Sequence, residues 1–255
     1  QAGPLGRSLA LASFIMDGSG WPHDPHAMLY TNSLLHALNG TLLTAVLLLL
    51  GRLRGWNTKQ AAWIAAISSS LWLLLPLLAS SSLMAVQRMT VLSSTFMLVG
   101  LWLYLLGRQH LIKAPWAGLS IMTAGLGLGT LLGIFTKEQA ALLPLLVLVL
   151  EVIWLPAISI QTPRAQKTWL CFRYLALYLP TLLIVLYLLR IVLNAESNYA
   201  LRDFSLSERL WTQTVVMWDY LRLAFLPRAA HLGPFHDDYP ILHAGWVTSL
   251  AALSW

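Results

Sequence analysis

The chain has 255 residues, of which 58% are hydrophobic and only 10% are charged. Soluble domains carry about 25% charged residues, so this chain has too few charges to cover a water-facing surface. The net charge of +6 comes from Lys and Arg in short segments between apolar runs, which favours positive-inside membrane topology over nucleic-acid binding.

Six apolar runs are long enough to cross a bilayer, which takes roughly 20 helical residues. They predict an all-α, polytopic transmembrane helix bundle with six complete spans and the start of a seventh. The predicted spans are residues 27–50, 61–79, 89–106, 117–135, 140–156 and 174–193, and the seventh begins near residue 244. The corresponding domains are the end of a first outer loop, the six-span bundle, an outer segment and the start of a further span, at residues 1–26, 27–193, 194–243 and 244–255.

The segments between these runs alternate in charge. One set contains no acid and eight basic residues: Arg52, Arg54, Lys59, Arg108, Lys113, Arg164, Lys167 and Arg173. Nine of the 10 acidic residues fall in the other set, and the tenth, Glu151, lies within the fifth run. Because Lys and Arg mark the cytoplasmic side, we expect the acidic segments to face the periplasm or a lumen. A bacterial inner membrane is the expected location.

Glycines and cysteine point to packing rather than to a cofactor. The fourth run contains Gly125, Gly127, Gly129 and Gly133, and small residues let helices approach closely in lipid. The single cysteine, Cys171, excludes an internal disulfide and a cysteine-based metal site. The chain begins with Gln and ends within an apolar run, so we expect an internal fragment.

The outer segment 194–243 contains a second kind of helix. Ser205 and Glu208 have the spacing of a capping box, and the helix is expected to run to Leu226 and stop at Pro227. Its four charges make spanning costly, which favours an amphipathic helix lying in the plane of the outer membrane surface.

Asn32, His36 and Asn39 recur at helical spacing in the first span and share one face. Two interpretations stay open. These polar side chains fix helix packing through interhelical hydrogen bonds, or they line a substrate cavity.

Two pairs of polar residues lie at the predicted outer surface. Gln87 and Arg88 precede the third span, and Lys137 and Glu138 form the short turn between the fourth and fifth spans. Arg88 is either an interfacial residue that reaches for water or a phosphate ligand, since guanidinium donors suit phosphate oxygens. Lys137 and Glu138 either satisfy each other or act on a phosphate and an acceptor.

Histidines and aspartates also cluster late in the outer segment, at His231, His236, Asp237, Asp238 and His243. Their spacing matches no strong metal signature, so we assign no metal and no cofactor. A divalent cation is nevertheless compatible with this residue set.

These motifs follow one another in an order typical of one group of membrane enzymes. Asn32, His36 and Asn39 fit the pattern H-x-x-N-x-x-L-H-x-x-N, with Leu29 in place of the first His. Pro76 is followed by Val86, Gln87 and Arg88. The turn from Thr136 to Ala140, with Pro144 and Glu151 after it, is similar to S-K-E-x-A-x-x-x-P.

The fourth motif comes from the outer segment. It resembles Y-L-x-L-L-L-P followed by D-H-D-Y-P, with the matching residues Tyr220, Leu221, Arg222, Leu226, Pro227, His236, Asp237, Asp238, Tyr239 and Pro240. Together the four motifs resemble the GT-C superfamily, in the branch of mannosyltransferase-like proteins with a tetratricopeptide-repeat tail.

The resemblance implies a glycosyltransferase that moves a sugar from a polyprenyl-phosphate donor to a hydroxyl of a protein or glycan on the outer side. It implies donor-phosphate binding by Arg88, Lys137 and Arg222. Supporting or acceptor roles fall to Gln87, Glu138, Asn32, His36, His236, Asp237, Asp238 and Tyr239. The catalytic carboxylate is expected ahead of Gln1, because Asp17 and Asp24 are poor matches to its usual position.

Other functions fit parts of the pattern. A transporter or flippase of a lipid-linked substrate would use the polar face of the first span, although no inverted repeat is visible. An O-antigen ligase or polymerase would use a diphosphate-linked donor. A non-catalytic scaffold subunit is the third alternative.

Overall fold

The computed structural model describes residues 6–20, 23–78, 82–158, 160, 162–194, 203–226 and 239–242. Every regular element in these ranges is helical, which confirms the all-α class for this part of the chain. The chain divides into two compact units. The first comprises residues 1–74 and 81–184, and the second comprises 75–80 and 185–255.

Nine α-helices follow in chain order: α1 Ser8–Asp17, α2 His26–Leu53, α3 Thr58–Leu73, α4 Arg88–His110, α5 Pro115–Ile134, α6 Leu143–Ile153, α7 Pro163–Phe172, α8 Leu179–Leu193 and α9 Leu206–Phe225 within the described ranges. Four 3-10 turns lie between them, at Gly18–Gly20, Pro76–Leu78, Ala85–Gln87 and Glu138–Leu142. A π-helical turn, Arg173–Tyr178, joins α7 to α8.

Four helical segments are long and apolar enough to cross a membrane. They are His26–Leu53, Ala85–His110, Pro115–Ile134 and the continuous helix Pro163–Leu193. The chain is therefore a helical membrane protein. The four segments correspond to the predicted first, third, fourth and sixth spans.

Six complete spans and a seventh are not supported. The predicted second span, 61–79, gives the 16-residue helix α3. At 1.5 Å per residue it is about 24 Å long, short of a hydrocarbon core of about 30 Å. The predicted fifth span, 140–156, gives the 11-residue helix α6. The predicted seventh span, from residue 244, lies outside the described residues.

Prolines explain why both helices are short. Pro76 has no backbone N–H and cannot continue α3, so the chain turns into the 3-10 segment Pro76–Leu78. Pro144 occupies the first turn of α6, where a missing N–H costs nothing. The five residues ahead of α6 form the 3-10 turn Glu138–Leu142. Hydropathy alone contains no signal for these changes of helix type.

Helices α2 and α3 form an antiparallel hairpin. Gly55, with a φ of 92°, lies just beyond α2, in a conformation that side chains disfavour. Asn57 then caps α3 by accepting a hydrogen bond from the backbone amide of Gln60 at 2.8 Å. Within the hairpin, the hydroxyls of Thr44 and Ser69 lie 2.6 Å apart.

Helices α4 and α5 pack through their glycines. A Cβ atom on Gly100 would lie 2.7 Å from the carbonyl oxygen of Gly125, and one on Gly107 would lie 2.6 Å from that of Gly118. Such approaches leave no room for a side chain, so the predicted packing role is confirmed for Gly125 and also for Gly129. Gly127 faces open space instead.

The buried core of the first unit lies around the C-terminal half of α4 and the N-terminal half of α5. Tyr104, Leu105, Met122, Val147 and Trp169 are among its members and come from α4, α5, α6 and α7. Helix α8, by contrast, buries none of its side chains. An apolar helix with this exposure is suited to lipid contact.

The second unit contains α9. Its N-terminus has the predicted capping box, in which Ser205 accepts from the Glu208 amide and Glu208 accepts from the Ser205 amide. The predicted start and stop of this helix are confirmed within one residue. Despite its 20 residues, α9 is not among the helices apolar enough to span.

Candidate functional site

The first unit gathers the predicted outer residues of α2, α4 and the α5–α6 turn at one end of the helices. Helix α2 runs parallel to α4. Asn32 donates to the Met84 carbonyl, and Asn39, seven residues later in α2, donates to the Val91 carbonyl, which is also seven residues later in its segment. Helix α5 is antiparallel to α4, so the α5–α6 turn lies beside the start of α4. The hydroxyl of Ser93 on α4 donates to the Lys137 carbonyl at 3.4 Å.

Arg88 lies at the start of α4 and is fully buried. Its two terminal nitrogens donate hydrogen bonds of 2.6 and 2.7 Å to the two carboxylate oxygens of Asp17. The same nitrogens donate to the backbone carbonyls of Ser13 and Met28, each at 2.8 Å. Its Nε donates to the side-chain oxygen of Asn32 at 2.9 Å.

All five N–H donors of Arg88 are therefore used within the chain. The guanidinium also lies 5.0 Å from the ring centre of Phe14, which adds a cation–π contact. These contacts join α1, α2 and α4 at one point. No donor of Arg88 is left for a phosphate, so the contacts describe a structural residue rather than the expected phosphate ligand.

Asp17 is the other half of this pair. Its hydrogen bonds with Arg88 lower the pKa of the Asp17 carboxyl, and its side chain keeps 15% exposure. A carboxylate with a lowered pKa and a bidentate partner is a weak proton acceptor. The bidentate pairing with Arg88 therefore makes the Asp17 carboxylate a poor candidate for a catalytic base.

The polar face of α2 makes interhelical hydrogen bonds. Buried Asn32 donates to the Met84 carbonyl at 3.0 Å, and buried Asn39 donates to the Val91 carbonyl at 2.9 Å. His36 lies 3.3 Å from the Leu73 carbonyl, at the end of α3. Of the two interpretations, helix packing is the one that these contacts support.

Lys137 has a different environment. It is half-buried, and its Nζ donates to the hydroxyl of Thr90 at 2.7 Å. Thr90 in turn donates to the side-chain oxygen of Gln87 at 3.0 Å. Burial, and next the charge of Arg7, lower the pKa of the Lys137 ammonium. We call Lys137, Thr90 and Gln87 the lysine cluster.

The lysine cluster has donors to spare. An ammonium carries three N–H donors, and one of those on Lys137 is accounted for by Thr90 within the described part of the chain. The side-chain amide nitrogen of Gln87 makes no hydrogen bond to the residues that the structure describes. This arrangement can bind an anion in a way that Arg88 cannot.

Glu138 pairs with Arg7 rather than with its neighbour Lys137. Two bonds of 3.3 and 3.1 Å join the Arg7 guanidinium to the carboxylate. A hydrogen bond from its own backbone amide, followed by Arg7, lowers the pKa of Glu138. Sequence reasoning missed Arg7. Its signal was a basic side chain in an otherwise acidic outer segment.

The backbone of the turn is fixed independently of these charges. The hydroxyl of Thr136 donates to the Gly133 carbonyl at 2.6 Å, and the Leu9 amide donates to the Phe135 carbonyl at 3.1 Å. A Cβ on Gly133 would collide with Ala140. The turn that presents Lys137 is thus held by the hydrogen bond from α1 and by the close packing of Ala140, in the 3-10 turn Glu138–Leu142, against the end of α5.

The remaining predicted residues belong to the second unit. Arg222, in the last turn of α9, and Tyr239 are part of the second unit. Tyr239 donates a short hydrogen bond to Asp219, and burial followed by this contact raises the pKa of the tyrosine. His236, Asp237 and Asp238 lie outside the described residues, as do His231 and His243.

No family model, curated protein or solved structure matches this chain. The class that fold and composition define is a helical membrane protein. The resemblance to GT-C glycosyltransferases stays an expectation carried by the four motifs.

Proposed function

We propose that this chain belongs to a membrane glycosyltransferase that takes its sugar from a polyprenyl-phosphate donor and passes it to a protein or glycan hydroxyl. The observation that carries the proposal is the lysine cluster. It places a half-buried ammonium with unused donors at the ends of the apolar helices.

A lipid-linked donor presents its phosphate at the membrane surface while its chain lies among apolar helices. A partly desolvated cation at that depth interacts more strongly with a phosphate than an exposed one does. When the sugar leaves, negative charge grows on the phosphate, and a cation held there lowers the barrier. In this proposal Lys137 binds the donor phosphate, and Gln87 and Thr90 position the lysine.

Arg88 takes a positioning role in the proposal. Its contacts to Asp17 and Asn32 hold α1 and α2 against the start of α4, two residues before Thr90. The interhelical bonds of Asn32, His36 and Asn39 fill the face that a transporter would need for a substrate path. For this reason we prefer the transferase to the transporter or flippase.

The short membrane passes and the orientation of the helices are part of the same proposal. We propose that α3 and the segment from Glu138 to Ile153 also enter the membrane layer as short passes beside the four long helices. The lysine cluster then faces the periplasm of a bacterial inner membrane, and α9 lies in the membrane plane. The charge bias of the connecting segments supports this orientation.

A transfer assay on the full-length, membrane-inserted protein that contains this chain tests the proposed function. The donor is radiolabelled mannosyl polyprenyl phosphate, and product is counted after the lipid has been extracted. Lys137→Ala is expected to lower the rate at least ~10-fold, the usual effect of removing one charge-assisted contact. Lys113→Ala is the matched control, because Lys113 is exposed and follows the opposite end of α4. Equal rates in the two variants would remove Lys137 from the site.

A further inference from the structure

A cavity of about 390 Å³ opens at the other end of α4, bordered by the end of α6 and by α7. Its lining includes Arg108, Glu151, Gln166, Trp169 and Arg173. Thr90 and Arg108 are 18 residues apart on α4, or about 27 Å at the helical rise. The cavity is therefore separate from the lysine cluster.

The carboxylate in this cavity is already neutralised. Glu151 accepts two hydrogen bonds from Arg108, at 2.6 and 3.1 Å, and a third from the hydroxyl of Tyr104 at 2.9 Å. Arg108 also donates to the Pro156 carbonyl at 2.7 Å. Arg108 and Glu151 are both buried, with 3% and 4% exposure of their side chains. Nη1 of Arg108 makes no hydrogen bond to any residue that the structure describes.

Arg173 brings a second guanidinium with unused capacity. Its Nε is buried and has no hydrogen-bond partner among the described residues. Its Nη2 donates to the Tyr178 hydroxyl at 3.4 Å, and its guanidinium lies 5.8 Å from the ring centre of Trp169. Arg173 also begins the π-helical turn, an irregularity that frequently occurs at functional sites.

The net charge of the cavity lining favours binding of an anion. Two guanidinium groups and one carboxylate leave a net charge of +1 in the cavity, and Arg164 and Lys167 on α7 add to the positive field. A buried donor without an acceptor is costly, so the unpaired Nε favours a ligand that supplies acceptor oxygens. A phosphate presents such oxygens in several directions and suits two guanidinium groups on different helices.

We propose that this cavity binds a phosphate group, supplied either by an anionic phospholipid headgroup or by a soluble phosphate compound. Basic pockets between membrane helices commonly hold lipid headgroups on the face that carries the Lys and Arg bias. Trp169 and Leu170 give the cavity an apolar side that suits the glycerol region of a lipid. The inference is independent of the glycosyltransferase proposal, because it uses neither the lysine cluster nor its orientation.

The test uses the protein in phosphatidylcholine nanodiscs and two probes. Phosphatidylglycerol is titrated into the discs and its binding is counted by native mass spectrometry. Glycerol 1-phosphate is titrated into the buffer of discs without phosphatidylglycerol. Arg173→Ala is expected to weaken binding of one probe ~10-fold, whereas Arg164→Ala, an exposed cation on the same helix, is expected to change it less than ~2-fold.

Each outcome decides the proposal. Arg173-dependent binding of phosphatidylglycerol supports the lipid as the source, and Arg173-dependent binding of glycerol 1-phosphate supports the soluble compound. Equal binding by both variants with both probes would overturn the site. The thermal unfolding midpoint in phosphatidylcholine alone monitors folding. If Arg173→Ala does not fold, Arg173→Gln keeps most of the side chain and provides the same comparison.

Discussion

The guanidinium of Arg88 and the carboxylate of Asp17 meet in a two-pronged contact across 71 residues of sequence. With the further bonds of Arg88 to α1 and α2, this contact makes Arg88 the point at which three helices are joined. It also uses the donors that a phosphate would need.

Replacing Arg88 should therefore affect stability first. Arg88→Ala leaves the buried Asn32 oxygen and the Asp17 carboxylate without their main partner, and breaking a buried pair from one side costs about 3–5 kcal/mol. Arg52→Ala, an exposed cation in the last turn of α2, should stay within about 0.5 kcal/mol. Unfolding in mixed detergent micelles measures both. Equal unfolding free energies for the two variants would contradict the joining role.

The Arg88–Asp17 pair should make the free energy of unfolding decrease at low pH. The pKa of Asp17 is lowered in the folded state, so its contribution is present above the unfolded pKa of about 3.9 and is lost as pH falls through the folded value. The unfolding free energy should therefore be flat near neutral pH and decline below about pH 4. Asp17→Asn should make this decline shallower. An unchanged decline in that variant would assign it to other carboxyl groups, such as Glu138.

The titration of Lys137 tests the environment of the lysine cluster. Burial and the Arg7 charge lower its pKa, whereas Glu138 raises it. Glu138→Gln should therefore lower the pKa further, and Arg7→Gln should raise it. The pH dependence of amine modification at Lys137, read by mass spectrometry, reports each shift. A midpoint for Lys137 that neither substitution moves would exclude the proposed electrostatic environment.

Close packing of α4 on α5 gives a prediction with an internal control. A Cβ on Gly107 would lie 2.6 Å from the Gly118 carbonyl oxygen, so Gly107→Ala must push the two helices apart. The expected loss is about 1–3 kcal/mol of unfolding free energy. Gly127 faces open space, and Gly127→Ala should be neutral or stabilising by up to about 1 kcal/mol. Equal losses of unfolding free energy in the two variants would contradict the close contact between α4 and α5 as the cause.

Orientation can be tested with single cysteines in a Cys171→Ala background. His23 and Lys59 are both exposed, and they precede α2 and open α3 respectively, at opposite ends of the α2–α3 hairpin. A membrane-impermeant thiol reagent added to intact cells should label His23→Cys directly and Lys59→Cys only after permeabilisation. The reverse pattern would place the lysine cluster in the cytoplasm and end the proposed function.

Much of the helical pattern could be predicted from sequence. Long apolar runs predicted four helices that the structure contains, and the Ser205–Glu208 spacing predicted the capping box of α9. These features depend on neighbouring residues, so local patterns are sufficient. The two short helices were predicted too long, because apolar composition does not reveal where Pro76 or Pro144 changes the backbone.

The pairing of charged side chains could not be predicted from the sequence. Arg108 was assigned to a connecting segment and Glu151 to the interior of a span, yet they form a buried pair across 43 residues. Arg88 looked like a phosphate ligand because its partner Asp17 lies in a different helix. Lys137 and Glu138 are adjacent, yet the structure bonds them to Thr90 and Arg7 respectively. Such pairings follow from the packing of distant helices.

Binding of farnesyl phosphate by the protein in detergent, with farnesol as the probe that lacks the phosphate, tests the proposed phosphate site at Lys137 most directly. Farnesyl phosphate should bind more tightly than farnesol, raise the pKa of Lys137 because an anion favours the ammonium, and lose ~10-fold in affinity in Lys137→Ala but not in Lys113→Ala. Equal binding of farnesyl phosphate and farnesol, with the titration of Lys137 unmoved, would rule the site out.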